Sequence, residues 1–353
     1  MKHNFSAGPC ILPQEVFQKA SQAVLDFNGM GLSILEISHR SKEFTEVMET
    51  ARSMVLELLG LEGMGYQALF LQGGASTQFL TVAYNLLEKK AGYLNTGTWS
   101  KKSIKEARMF GEVVEVGSSE DENFRYIPKG YTISKGLDYL HLTSNNTIFG
   151  TQIKKFPKTD APLVVDMSSD IFSRQMDFSQ FDLIYAGAQK NMGPAGTTLV
   201  VIKEDVLGKV ERTIPSMLDY RVHISKDSMF NTPPVFSVYV SMLTLQWLKD
   251  RGGIAVQEEI NEKKAQLLYS EIDLNPVFEG FADMDDRSTM NATFNLVDEN
   301  LKETFEDLLK EAGVHGLNGH RSVGGYRASM YNAMSLESVG ILVDVMSEME
   351  RRG

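Results

Sequence analysis

The stretch that most constrains this chain is Tyr185-Ala-Gly-Ala-Gln-Lys190-Asn-Met-Gly-Pro-Ala-Gly196, where one lysine stands among small residues behind the apolar run Leu183-Ile184-Tyr185. A short apolar run closed by a Gly/Pro turn reads as a buried strand. Such a strand sets Lys190 at a sheet edge, where open α/β sheets bind their ligands. A lysine amine crowded by small groups instead of carboxylates is free to attack a carbonyl, and when partly desolvated it is the usual Schiff-base nucleophile. Taken alone, Lys190 reads also as a solvated lysine of a surface turn.

A second run, Pro162-Leu-Val-Val-Asp166, ends in an acid. If it lies parallel to the strand before Lys190, Asp166 and Lys190 share one sheet edge. That pair suits an acid facing a pyridinium nitrogen and a lysine facing an aldehyde; by itself Asp166 is equally a capping acid. Thr197–Lys203 returns as a strand, because the Gly-Pro turn leaves no room for a crossover helix. Upstream, Tyr66–Leu71 runs into Gln72-Gly-Gly-Ala-Ser-Thr77 and a helix to Lys89. Strand, glycine turn and helix N-terminus make an anion cradle, with Ser76 otherwise a simple N-cap. No Gly-Lys-Ser/Thr follows at P-loop spacing, and Gly63-x-Gly65-x-x-Ala68 precedes its strand, so neither nucleotide fingerprint holds.

Three further positions invite ligands. Trp99, beside a turn, stacks on a flat ring or simply packs. Arg40 holds a carboxylate by a bidentate fork or is an exposed arginine at a helix start. His320, Arg321 and Arg327, among Gly319, Gly324 and Gly325, could bind a phosphate or carboxylate.

At 353 residues the chain exceeds one ordinary core, so two domains are expected. The patterning predicts an irregular arm over 1–13 and helices at Gln14–Phe27, 43–59, Trp99–Gly111, 235–250 and 254–272. It also predicts strands at Gly92–Gly97 and Leu137–Thr143, with a polar excursion over 112–136 and irregular chain over 204–232. The remainder reads strand (Thr293–Val297), helix (Leu301–Ala312), strands (Val314–Leu317, Arg327–Met330) and helix (Leu336–Arg352), with a domain boundary inside 254–272. A net charge of −11 argues against nucleic-acid or anionic-membrane binding. One cysteine, Cys10, excludes an internal disulfide and suits a reducing compartment, and no long apolar segment opens the chain, so a cytoplasmic protein is expected. The histidines show no metal-ligand spacing.

Together these motifs resemble the phosphoserine aminotransferase family, class V within the fold type I pyridoxal-phosphate enzymes. The resemblance runs nearly end to end: Asn4-Phe-Ser-Ala-Gly-Pro9, Ser38-His-Arg40, Gly73-Gly-Ala75, the lysine motif, Phe230-Asn-Thr-Pro-Pro234, Gly319-His-Arg321-x-Val-Gly-Gly-x-Arg327-Ala-Ser329 and Tyr331-Asn-Ala333. It implies an α/β large domain over 1–255 with a mostly parallel sheet flanked by helices. A smaller C-terminal α+β domain would span 256–353, with the arm 1–15 packed on it. It further implies that Lys190 holds pyridoxal 5'-phosphate, Asp166 pairs with its ring nitrogen and Trp99 stacks on its ring. Ala75, Ser76, Thr147 and Gln189 would hold its phosphate or ring oxygen, and Asn231 and Thr232 would reach the cofactor of a second subunit in a homodimer. Arg40 and Arg327 would take substrate carboxylates, and His39, His320 and Arg321 the substrate phosphate. The implied reaction joins glutamate and 3-phosphohydroxypyruvate in serine biosynthesis, with a phosphorylated hydroxythreonine of pyridoxine biosynthesis as a further substrate. Ser76 departs from members carrying an arginine there. The competing readings are a class V relative acting on unphosphorylated serine or alanine, and a non-catalytic binding module on the same fold.

Overall fold

The computed structural model describes residues 2–321 and 323–352. Its apolar runs form a seven-stranded sheet. In chain order the strands are β1 (Tyr66–Leu71), β2 (Lys90–Asn95), β3 (Glu112–Ser118), β4 (Tyr139–Thr143), β5 (Leu163–Asp166), β6 (Leu183–Gly187) and β7 (Thr198–Lys203). Across the sheet they lie β1-β7-β6-β5-β4-β2-β3. Neighbours are parallel except at β7, which is antiparallel to both β1 and β6. The tight Gly-Pro turn before β7 accounts for that reversal, because a parallel return needs a long crossover.

The inner strands β5 and β6 read as nearly unbroken apolar runs because both faces are covered. The helices are α1 (Gln14–Leu25), α2 (Lys42–Leu59), α3 (Gly74–Leu86), α4 (Thr98–Ala107), α5 (Val235–Asp250), α6 (Gly253–Leu274), α7 (Lys302–Glu311) and α8 (Leu336–Arg352). Val164, Leu183, Tyr185 and Val200 pack on one side with Phe79 and Val82 of α3 and Ile104 of α4. Val165, Ile184, Ala186 and Leu199 pack on the other with Phe44 and Met48 of α2 and Val238 of α5. Helix α2 starts where Ser41 Oγ accepts from the Phe44 N–H at 3.2 Å, and it ends at Gly60 with φ 66°. Among the described residues, no helix is long and apolar enough to cross a membrane.

A second core lies toward the C-terminus. Strands β8 (Phe278–Gly280), β9 (Asn291–Leu296) and β10 (Tyr326–Ser329) form an antiparallel sheet in that order. Residues of α6, α7 and α8 cover it, and Phe5 of the N-terminal arm is buried in the same core. The rings of Phe278, Phe294, Phe305 and Tyr326 meet with centroids 5.0 to 5.7 Å apart.

Some expectations change. The arm is not wholly irregular: His3–Asn4 pairs in parallel with Val314–His315. The excursion over 112–136, expected to hold short strands, does open with one, the edge strand β3, whose side chains are half-buried or exposed. Strand β8 has three residues and carries no readable alternation. Helix α4 stops at Ala107, short of Gly111, and a five-residue helix, Tyr220–Ile224, interrupts 204–232.

Phe305 is fully buried and its ring touches two others. Phe305→Ala is expected to lower stability by about 3–5 kcal/mol, read from urea unfolding. A loss below about 1 kcal/mol would remove this aromatic cluster as the anchor of the C-terminal core.

Candidate active site

Strand register brings the pieces together. Gly187 of β6 lies opposite Thr198 of β7, and Thr198 lies opposite Leu71 of β1. Asp166 of β5 lies opposite Tyr185 of β6 and Thr143 of β4. The carboxyl ends of β1, β4, β5 and β6 therefore share one edge of the sheet, and a cavity of about 330 Å³ opens there. Gly74, Ala75 and Ser76 at the start of α3 line it, as do Trp99, Thr147, Asp166, Gln189, Lys190, His320 and Arg327.

Lys190 is half-buried, with Nζ 5.8 Å from the Trp99 ring centroid. Burial pushes its amine below the ordinary lysine value; Asp166 pulls it back up and Arg327 presses it further down. Asp166 is buried, and its Oδ1 accepts from the Ser168 N–H at 2.9 Å. Burial raises its carboxyl above the usual range, opposed by the Ser168 hydrogen bonds and by Lys190. An amine and an acid thus share one poorly solvated space with opposite displacements.

The indole and one guanidinium are held through a single residue. Trp99 Nε1 donates to Thr147 Oγ1 at 3.0 Å, and Arg327 Nη1 donates to the Thr147 carbonyl at 3.1 Å. Arg327 Nε is buried and has no partner among the described residues, which leaves it a donor for an anionic oxygen. Burial lowers the Arg327 value as well. Burial lowers His320 too, helped by Arg327, Arg321 and Lys102. Gly73 makes the turn into α3 possible: its φ is 95°, and a Cβ there would lie 2.2 Å from Thr77 Oγ1. The positive end of the α3 dipole is thereby set on the cavity.

Other anticipated residues lie elsewhere. His39 is half-buried and Arg40 exposed, just before α2, and neither lines the cavity. Arg321 is exposed and outside it. Asn231 and Thr232 are exposed; Asn231 lines a separate cavity of about 280 Å³ with Gln72, Gly73 and Met217, and Gln72 Nε2 donates to the Thr232 carbonyl. The adjacent glycines Gly73 and Gly74 border one cavity each.

Several lining residues were not singled out from sequence. Ser168 and Ser169 follow Asp166 directly, and Asn145 lies in the Ser144-Asn-Asn-Thr147 cluster that closes β4, which is the one signal that could have found it. Asn145 Nδ2 donates to Ser169 Oγ and Asn291 Oδ1, each at 2.8 Å. Ala7 and Gly8 come from the arm, and a Cβ on Gly8 would sit 3.3 Å from Lys190 Cγ. Cys10 donates its Sγ–H to the Lys190 carbonyl at 2.8 Å, but burial pushes its thiol up to about 12, so it is no nucleophile.

These donors suit pyridoxal phosphate: an amine below its usual value for the aldehyde, a buried carboxylate for the ring nitrogen, an indole for the ring and a helix N-terminus for the phosphate.

The chain matches the family model Aminotransferase class-V over residues 2–342. It is 67% identical to the phosphoserine aminotransferase of Flavobacterium johnsoniae over 353 residues, covering 99% of each chain. To that of Bacteroides fragilis it is 54% identical over 353 residues, again 99% of each. Among solved structures it is similar to the phosphoserine aminotransferase of Bacillus circulans subsp. alkalophilus, with a TM-score of 0.96, 44% identity and coverage of 100% of this chain and 99% of that one. The pyridoxal-phosphate-bound phosphoserine aminotransferase of Trichomonas vaginalis gives a TM-score of 0.93 and 34% identity, over 98% and 100% of the two chains.

The charges around Lys190 make a signed prediction. Asp166→Asn removes the charge that supports the ammonium and should move the Lys190 titration to lower pH; Arg327→Leu should move it to higher pH. The pH profile of Lys190 acylation in cofactor-free protein, followed by peptide mass spectrometry, reads both. Identical profiles would break the coupling.

Proposed function

We propose that this chain, which belongs to the class V aminotransferases, transfers an amino group reversibly between glutamate and 3-phosphohydroxypyruvate, giving O-phospho-L-serine and 2-oxoglutarate. The pyridoxal-phosphate dependence is that of its family. The observation that carries the substrate reading is the make-up of the cavity wall: the nitrogen donors Lys190, His320 and Arg327 line it, and among the described lining residues the one acid is Asp166. A wall with several nitrogen donors and a fixed guanidinium favours substrates bearing two anionic groups, as glutamate and a phosphorylated oxo acid both do.

When bound, pyridoxal phosphate supplies an electron sink for the carbanion left at the substrate's α-carbon. Lys190 would hold the group by its aldehyde and would carry the α-proton on Nζ; its lowered value enlarges the neutral, proton-accepting share. Asp166, buried and held by Ser168, would keep a proton on the ring nitrogen. Trp99, fixed through Thr147, would orient the ring. Ala75, Ser76, Thr147 and Gln189 would hold the phosphate or ring oxygen. Arg327 takes a substrate carboxylate with its free Nε, and Arg40 takes the second. His39, His320 and Arg321 take the substrate phosphate; the same set would accept a phosphorylated hydroxythreonine.

The positions outside the cavity support a homodimer. Asn231 and Thr232 are exposed beside Phe230 and Met217, apolar side chains 38% and 47% exposed, and the buried His39 Nε2 has no partner among the described residues. In this reading they complete the cavity of a second copy. We place the division between a cofactor-binding unit (1–255) and a smaller unit (256–353) inside α6, and the enzyme in the cytoplasm.

Lys190→Ala should abolish amino transfer, and near-normal turnover would refute its role. An absorbance titration of the loaded enzyme should respond to glutamate and O-phosphoserine but not to serine or alanine. An equal response to serine or alanine would assign the chain to class V enzymes of unphosphorylated substrates and leave His39, His320 and Arg321 with structural roles.

A further inference from the structure

Lys264 on α6 is a fully buried lysine that the chemistry above does not use; it is 0% exposed, and among the described residues no carboxylate forms an ion pair with it. Its Nζ donates to the Met330 carbonyl at 2.9 Å and to the Tyr331 carbonyl at 2.8 Å. Burial, with Arg251 adding to it, pushes the amine down to about 7. An unpaired buried amine is costly, and a methionine of similar length would fill the same space without that cost. The cost therefore points to the two carbonyls.

The second of them belongs to a peptide unit that is gripped from both sides. Its carbonyl, on Tyr331, accepts from Lys264, and its N–H, on Asn332, donates to Asn191 Oδ1 at 3.0 Å. Asn191 is the residue after Lys190. Its Nδ2 donates in turn to the Ile171 carbonyl at 3.1 Å, which anchors the turn to the chain that leaves β5. The Tyr331 hydroxyl donates to the Ala7 carbonyl at 2.7 Å, and Ala7 lines the cavity. A donor on the carbonyl polarises the peptide and strengthens its N–H as a donor on the other side.

We propose that Lys264 is a positioning residue for Lys190. It clamps the 331–332 peptide so that Asn191 holds the lysine turn at the end of β6 and Tyr331 holds the arm against the cavity. The catalytic consequence rests on the amino-transfer reading above; the clamp itself does not.

The test uses Lys264→Met, Asn191→Ala and the double variant of the full chain. Removing an unpaired buried charge is often neutral for stability, so Lys264→Met should fold. In cofactor-free protein, hydrogen exchange of the peptide containing Asn332 should quicken in Lys264→Met, while exchange in β5 stays as in the wild type. In loaded enzyme, kcat of the glutamate half-reaction should fall on the order of tenfold with KM within about twofold. The double variant should lose no more than the worse single variant, since both break one chain of contacts. Unchanged exchange at Asn332 in Lys264→Met overturns the clamp, and unchanged kcat or additive losses overturn the positioning role. If Lys264→Met does not fold, Asn191→Ala decides: a kcat loss at unchanged KM supports the proposal, and an unchanged kcat refutes it. A wild-type protein that takes no amino group from glutamate would refute the amino-transfer reading, and with it the catalytic consequence, leaving exchange to decide the clamp.

Discussion

The site depends on one pairing, β5 alongside β6 in parallel with Asp166 opposite Tyr185. Parallel strands end at the same edge, so the acid that closes β5 and the lysine that follows β6 meet without a long loop to order. The pairing also sets the energetics. Both groups lie where water is scarce, and burial disfavours the charged form of each; the charge of one partly offsets that effect on the other. The small residues around Lys190 complete the arrangement from behind. A Cβ on Gly193 would lie 2.3 Å from Ser241 Oγ, and one on Gly196 2.6 Å from Ser237 Oγ, so these glycines let α5 press directly against the lysine turn.

How much of this could be read from the residues follows from which signals are local. Tyr66–Leu71 is legible to the residue because a run apolar but for Gln67 lies between glycine-bearing turns. The edge strand β3 and the three-residue β8 are not, since partial exposure and shortness erase the pattern. At the site, Lys190, Asp166, Ala75 and Trp99 stand out because each lies where a strand ends or a helix begins. Asn145 and Ser168 lie in such turns too, but polar residues are ordinary there, and only partners from other elements reveal them: Asn291 for Asn145, and the Gly187 N–H that donates to Ser168 Oγ. Gly8 reaches the cavity through the arm, which no periodicity announces. Arg40 and Arg321 are suggested by their own polar turns, whereas His39, Asn231 and Thr232 rest on the family resemblance; within one chain none of the five lines the cavity.

The two cores meet at the site, and that junction carries an electrostatic consequence. Arg327 comes from β10 of the C-terminal sheet, yet it is bonded to Thr147, which also holds the Trp99 indole of the larger sheet. Its positive charge is one of the influences that lower Lys190. An anionic substrate group on the free Arg327 Nε would offset that charge and raise Lys190 toward its ordinary value. Binding the substrate would therefore strengthen the lysine as a base while reducing its neutral share, so cavity occupancy and the amine's protonation move together. The guanidinium then does more than hold a carboxylate: through the few ångströms between two packed cores, it links occupancy of the cavity to the basicity of the one amine that acts there.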